Sequence, residues 1–346
     1  MTKTAIFSNN LFLEHMKNFD HLESASRLRV IYDELDKPEI AAGFIFPAFQ
    51  AAGAEIIKLN HQPAYIKQLA DTAGQSFVSL DADTQTSAQS YDAACLAVGA
   101  AVTAARMVVA GEVDNAFCLV RPPGHHAEVD KAMGFCLFNN AALAAQFAIH
   151  ELGLQRVLIV DWDLHHGNGT QHSFYDSDNV LYFSTHQYPC YPGSGAAAEV
   201  GSGRGAGYTI NVPLPAGLDD LAFATIYNDL LSAVARQYQP ELIIVSAGYD
   251  IHRDDPLGGM MVTEAGFAYM TKILLELAAE CGSPFMACLE GGYDLNGLKN
   301  GVMATLNEMR GYSTLTDKTI MNFTMNSMPI MAMEETRSVA KKFWKL

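Results

Sequence analysis

Short runs of β-branched and aliphatic residues alternate with stretches of helical apolar spacing along most of the chain. The strand-like runs are Thr4–Phe7, Glu55–Leu59, Ala116–Val120, Arg156–Val160, Val180–Ser184, Leu242–Ser246 and Phe285–Leu289. Helical patterns lie between them at Ser90–Val109, Ala141–Leu152, Asp219–Tyr238, Thr263–Glu280 and Leu298–Met309. This alternation predicts βαβ units: an α/β fold with a many-stranded parallel sheet and helices on both faces. Thr263 reads as a helix N-cap, with Glu264 in the first turn where the helix dipole favours an acid. No Pro/Ser-rich linker and no internal repeat divides the chain, so residues 1–312 are expected to form one domain. Residues 313–346 form a peripheral tail packed on or near it, with Met321, Met325, Met328, Met331 and Met333 as packing or contact surface.

Five of the strand-like runs end in polar clusters. These are Arg121–His126, Asp161–Gly169, Ser184–His186, Ser246–Asp250 and Leu289–Tyr293. An open α/β sheet offers its ligands the carboxyl ends of parallel strands, so the fold would gather the five clusters into one site. Asp163, His165 and Asp250 form an oxygen–nitrogen–oxygen set suited to a divalent metal. Residues two apart in a strand point to one side, which lets Asp163 and His165 converge. Three protein ligands leave a position open for water, as a catalytic zinc requires; iron(II) or manganese would also suit the carboxylates.

Composition narrows the class. With 49% hydrophobic and 17% charged residues, the 346-residue chain suits a well-buried enzyme and argues against disorder. A formal charge of −16 speaks against nucleic-acid binding, because Lys341–Lys345 is the only basic stretch. The same charge could draw cationic substrates. The six cysteines form no Cys-x-x-Cys pair and read as buried reduced thiols, which points to a reducing compartment. The N-terminus has too short an apolar core for a signal peptide, and Ser90–Val109 reads as a buried helix and not a membrane span. A cytoplasmic location without membrane partners is the expectation. The glycine-dense loop Gly193–Gly207 lacks a strand–GxGxxG–helix setting and is expected to be a flexible loop at the rim of the site.

The clusters, with Gly134–Asn140, Pro192-Gly193 and Glu290–Tyr293 in the same order, resemble the zinc-dependent histone deacetylase superfamily. This includes class II-like bacterial histone deacetylase-like amidohydrolases and their acetylpolyamine amidohydrolase relatives. The resemblance spans roughly residues 10–310 and implies an arginase/deacetylase-type sheet. It assigns zinc, one per chain, to Asp163, His165 and Asp250. It turns His125 and His126 toward the attacking water, oriented by Asp161 and Asn168, and Tyr293 toward the substrate carbonyl. A neutral Asn168, where some classes carry aspartate, would leave His126 more readily available as a base. Gly134, Phe135, Tyr191 and Leu257 match walls of an acyl-lysine tunnel, and Asp83 matches a rim aspartate or a simple turn residue. Structural potassium is implied at Asp161, Asp163, His165, Ser184 and Thr185, and again at Phe174, Ser177, Val180 and Tyr208.

The implied activity is hydrolysis of an acetyl-lysine-type amide in a peptide or protein, with an acetylated small amine such as an acetylpolyamine as the alternative. A homo-oligomer is also open, since polyamine-specific relatives often narrow their site across a dimer interface. Binuclear manganese ureohydrolases need extra carboxylates where Gly167 and Gly248 stand. A non-catalytic acyl-lysine reader would lack the tyrosine that stands at position 293.

Overall fold

A computed structural model describes residues 2–346; Met1, at the head of the expected domain, lies outside them. In chain order the strands are β1 (Thr4–Phe7), β2 (Val78–Ser79), β3 (Gln85–Thr86), β4 (Asn115–Cys118), β5 (Val157–Asp161), β6 (Val180–Gln187), β7 (Thr209–Leu214), β8 (Leu242–Ala247) and β9 (Phe285–Leu289). Seven of them form one sheet in the order β1-β4-β9-β8-β5-β6-β7, every neighbouring pair parallel, while β2 and β3 make a small antiparallel hairpin. The inner strands are wholly buried and apolar apart from Asp161 and Ser246 near their carboxyl ends, as strands covered on both faces must be. Helices Ser90–Val109 and Asn140–His150 pack together on one side; Glu264–Cys281 and Leu295–Met309 pack together on the other.

Thr263 caps its helix by accepting from the Ala265 amide at 3.2 Å, as its position suggests. Ser90–Val109 is long and apolar enough to cross a membrane, and its Ala-rich faces are instead buried in the protein core. All six cysteines are free thiols.

Several expectations are corrected. Glu55–Leu59 is not a strand but lies on and beyond a short helix, Ala54–Ile57. Only Ile57 within it is buried, and a five-residue run is too short to separate a helical from a strand period. The strand Thr209–Leu214 went unrecognised because it contains Pro213; the sheet admits that proline because β7 is an edge strand. Strand β6 runs on to Gln187, so Ser184, Thr185 and His186 lie within it and not in a loop beyond it. The Asp219–Tyr238 stretch is helical but is interrupted by one widened turn, Tyr227–Leu231, where the Ser232 hydroxyl donates to the Tyr227 carbonyl at 2.8 Å.

The Gly193–Gly207 loop is docked, not loose. The Glu199 carboxylate accepts from the Gly195 amide at 3.0 Å and from the Ala196 amide at 3.0 Å. The Ser202 and Gly207 amides donate to Tyr175 and Val200 carbonyls. The tail joins in, with the Trp344 indole donating to the Gly207 carbonyl at 2.8 Å. Its last helix, Met331–Ala340, packs beside β7, and the Thr336 hydroxyl donates to the Asn211 carbonyl at 2.7 Å. Met321, Met325 and Met331 are exposed, while Met333 is buried.

Candidate active site

The segments leaving the carboxyl ends of β4, β5, β8 and β9 meet at one cavity of about 190 Å³. Its inner wall carries His125, His126, His165, Gly291 and Tyr293; its outer wall carries Phe135, Tyr191, Leu257 and Asp83. Asp163 and His165 lie past the end of β5, so a loop and not strand alternation brings them together. The loops brace one another. The Asp250 carboxylate accepts from the Leu164 amide at 2.8 Å, and Asp163 accepts from the Gly291 amide at 2.8 Å.

One atom from each of Asp163, His165 and Asp250 lies within 4.8 Å of the others. His165 Nδ1 stands 3.2 Å from Asp163 Oδ1 and 3.1 Å from Asp250 Oδ2. A Cβ added to Gly248 would strike the Asp163 carboxylate, and one added to Gly167 would strike that of Asp161. The extra carboxylates of a binuclear site therefore have no room.

The two histidines differ in their support. His125 Nδ1 lies 3.1 Å from Asp161 Oδ2, which also accepts from the Tyr182 hydroxyl at 2.9 Å. Burial works against charge on His125, yet the Asp163 and Asp161 carboxylates outweigh it and push its pKa up to about 10. A divalent cation on Asp163 would weaken that hold. His126 Nδ1 lies 2.8 Å from Asn168 Oδ1. Burial, with His125 and His165 beside it, lowers its pKa well below the usual imidazole value. The Asn168 amide is not isolated, since its Nδ2 donates to the Glu128 carboxylate at 2.6 Å.

Phe135 and Tyr191 border the cavity. Tyr191 sets its ring edge on His126, with centroids 5.1 Å apart, and Phe135 lies edge-on to Tyr293 at 6.2 Å. Gly134 presses its backbone against the His126 ring at φ +56, where a side chain would collide. Asp83 serves locally and at the rim: its Oδ1 accepts from the Thr84 hydroxyl at 2.8 Å and the Gly134 amide at 3.2 Å, and it also lines the cavity. Burial raises the Tyr293 hydroxyl pKa well above its usual value, so it stays a donor.

The expected potassium ligands fall in two places. Asp161 and Ser184 are paired in register at the ends of β5 and within β6, with Thr185 next along. Phe174 and Ser177 precede β6, Val180 is its first residue, and Tyr208 immediately precedes β7.

Several supporting residues escaped the sequence reading. Glu290 holds the histidine loop, accepting from the amides of Gly124 at 2.7 Å and His125 at 3.1 Å. Asp255 holds Tyr293 and Leu257, accepting from their amides at 2.6 Å and 2.9 Å. Arg27 lies 5.1 Å from the Tyr293 ring centroid and donates to the Gly292 carbonyl at 2.6 Å. Glu23, fully buried, pairs with both Arg27 and Arg121. Of these, Glu290 and Arg121 lie inside clusters the sequence singled out; Asp255, Arg27 and Glu23 do not.

Residues 21–309 match the family model described as the histone deacetylase domain. A probable deacetylase of Archaeoglobus fulgidus is 36% identical over 298 residues, 85% of this chain and 82% of the relative. The chloroplastic histone deacetylase 10 of Oryza sativa subsp. japonica is 37% identical over 313 residues, 85% of this chain and 71% of that protein. The crystal structure of the HDA15 HD domain superposes with a TM-score of 0.90 at 35% identity, covering 99% of this chain and 96% of that one.

Proposed function

The chain belongs to the histone deacetylase family, and on that premise we propose that it is a zinc-dependent deacetylase acting on acetyl-lysine-type amides. The observation that carries the reading is the meeting, at one cavity, of a three-ligand metal set, two partnered histidines and a buried-side tyrosine hydroxyl. The donor set fits zinc in number and kind, with Asp163, His165 and Asp250 as its ligands. Bound there, zinc would polarise the amide carbonyl and lower the pKa of a water.

The remaining work falls to the chain's own side chains. With its Nδ1 proton donated to Asn168, His126 keeps Nε2 free to take a proton from the attacking water and hand it to the leaving amine. His125, beside it and partnered by Asp161, favours negative charge developing at the same place. The Tyr293 hydroxyl donates to the oxyanion. Phe135 and Tyr191 flank an apolar substrate stem, with Leu257 and Asp83 at the mouth. A structural potassium beside Asp161, Ser184 and Thr185 completes the proposal.

The overall charge of −16 favours a second reading, an acetylpolyamine hydrolase, because a polyamine's free ammonium groups would be attracted. Such attraction is screened beyond about 8 Å at physiological salt, so only acids at the mouth count. Acetate release from an acetyl-lysine peptide, N-acetylputrescine and N-acetylspermidine, each with and without a chelator, decides between them. The expected result is chelator-sensitive turnover with higher kcat/KM for the peptide. A polyamine preference above roughly tenfold would replace the first reading with the second.

A further inference from the structure

We propose that Glu128 fixes the proton-accepting tautomer of His126 by locking which way the Asn168 amide faces, a positioning role two hydrogen bonds away from the ring's reactive side. The inference rests on the reading of His126 as the base. A side-chain amide has an accepting edge and a donating edge, and a carboxylate can only accept. Asn168 Nδ2 lies 2.6 Å from Glu128 Oε1 and 3.3 Å from the His126 carbonyl, so the donating edge must face these acceptors. The oxygen is then turned to His126 Nδ1 at 2.8 Å, which requires the ring proton on Nδ1 and leaves the Nε2 lone pair free. Turning the amide over would set its oxygen against the Glu128 carboxylate. It would also offer N–H to Nδ1, moving the proton to Nε2, where the ring could no longer accept.

Glu128 is built to hold this place. It is 9% exposed, its amide donates to the Lys131 carbonyl at 3.0 Å, and its own carbonyl lies 2.9 Å from His61 Nδ1. Its Oε1, shared with Asn168, and its Oε2 lie 2.9 Å and 3.0 Å from His172 Nδ1. Burial alone would push the carboxyl pKa up; the hydrogen bonds from His172 and Asn168 outweigh it and keep the group below its ordinary value, hence charged.

The test is Glu128→Ala in the wild-type protein and in Asn168→Asp. In the wild type it should lower kcat about tenfold or more with KM little changed. In Asn168→Asp the new carboxylate accepts from Nδ1 whichever oxygen faces it, and it stands against Glu128 across the same short contact. There Glu128→Ala should raise kcat, reversing the sign, which a merely structural role would not do. Glu128→Gln keeps the shape and should follow the same signs with smaller changes, so a poorly folding alanine variant does not end the test. Ring-nitrogen NMR of the zinc-loaded, histidine-labelled protein, with His126→Gln for assignment, reads the tautomer directly. It should show Nδ1–H in the wild type and lose it in Glu128→Ala. Equal losses in both backgrounds, or an unchanged tautomer, would overturn this inference and leave the deacetylase reading intact. A wild type inactive on every acetylated amide would overturn that reading instead, with the tautomer still deciding this one.

Discussion

His125 and His126 have ring centroids 4.0 Å apart, yet their Nδ1 atoms lead into unlike surroundings. His125 meets a carboxylate at once, Asp161, sealed from solvent with Tyr182 behind it. His126 meets an amide; the carboxylate comes one hydrogen bond later, on Glu128, and the chain of contacts ends at His172, whose side chain is 50% exposed. A carboxylate in contact favours the imidazolium, while an amide mainly chooses a tautomer. Neighbouring groups whose environments push their proton affinities apart are what acid–base chemistry at one pH requires. Two adjacent residues of one type can therefore hold different duties.

The sharpest way to break this comparison is to remove each ring in turn. His126→Gln should lower kcat by about 10²–10⁴, the span of a general base, and His125→Gln by less. Equal losses in steady-state assays of metal-loaded protein would erase the distinction. Next in size, Tyr293→Phe deletes a hydroxyl that belongs to neither chain of hydrogen bonds. Turnover should fall about 10²–10³ with thermal stability near wild type; a folded, metal-loaded variant with full turnover excludes the oxyanion role. Asp161→Asn makes the first histidine's surroundings resemble the second's, and about a tenfold loss in kcat is expected. No loss would mean that contact charge on His125 is dispensable.

A smaller effect concerns acid stability. Burial lowers the His61 pKa from 6.5 to about 4, and the neutral ring bridges the Glu128 carbonyl and the Asn139 amide. Burial lowers His186 to about 4 in the same way. Protons bind these rings more readily in the unfolded chain, so the stability they contribute is present above pH 6.5 and lost as pH falls toward 4. Melting temperature should decline through that window, and His61→Gln should flatten part of the decline; a flat wild-type profile would refute the linkage.

The inner strands were legible as apolar runs, and the meeting of Asp163, His165, Asp250, both histidines and Tyr293 in one region was legible because each lies in a polar cluster that ends, or runs on from, such a run. The supports were not. Glu23, Arg27, Glu128 and Asp255 look like ordinary charged positions, and only tertiary contact shows each accepting from or donating to a group at the cavity. The Gly193–Gly207 loop misled for a related reason: glycine suggests freedom locally, whereas Gly195 is present because the His166 and His186 rings crowd its backbone. Strand β7 was hidden by Pro213, whose acceptability depends on an edge position that no local pattern reveals.

That edge position has a further consequence. The far side of the sheet is closed by Ile45, whose backbone bonds to Thr4 and Ile6, whereas the β7 side is covered by the Met331–Ala340 helix through Thr336. A chain cut after Tyr312 would retain every group at the cavity and so keep nearly full turnover per soluble molecule. It would also uncover a strand whose free backbone groups can template pairing with another copy. The lesion should appear as concentration-dependent self-association in light scattering, a failure of colloidal behaviour with the chemistry left whole.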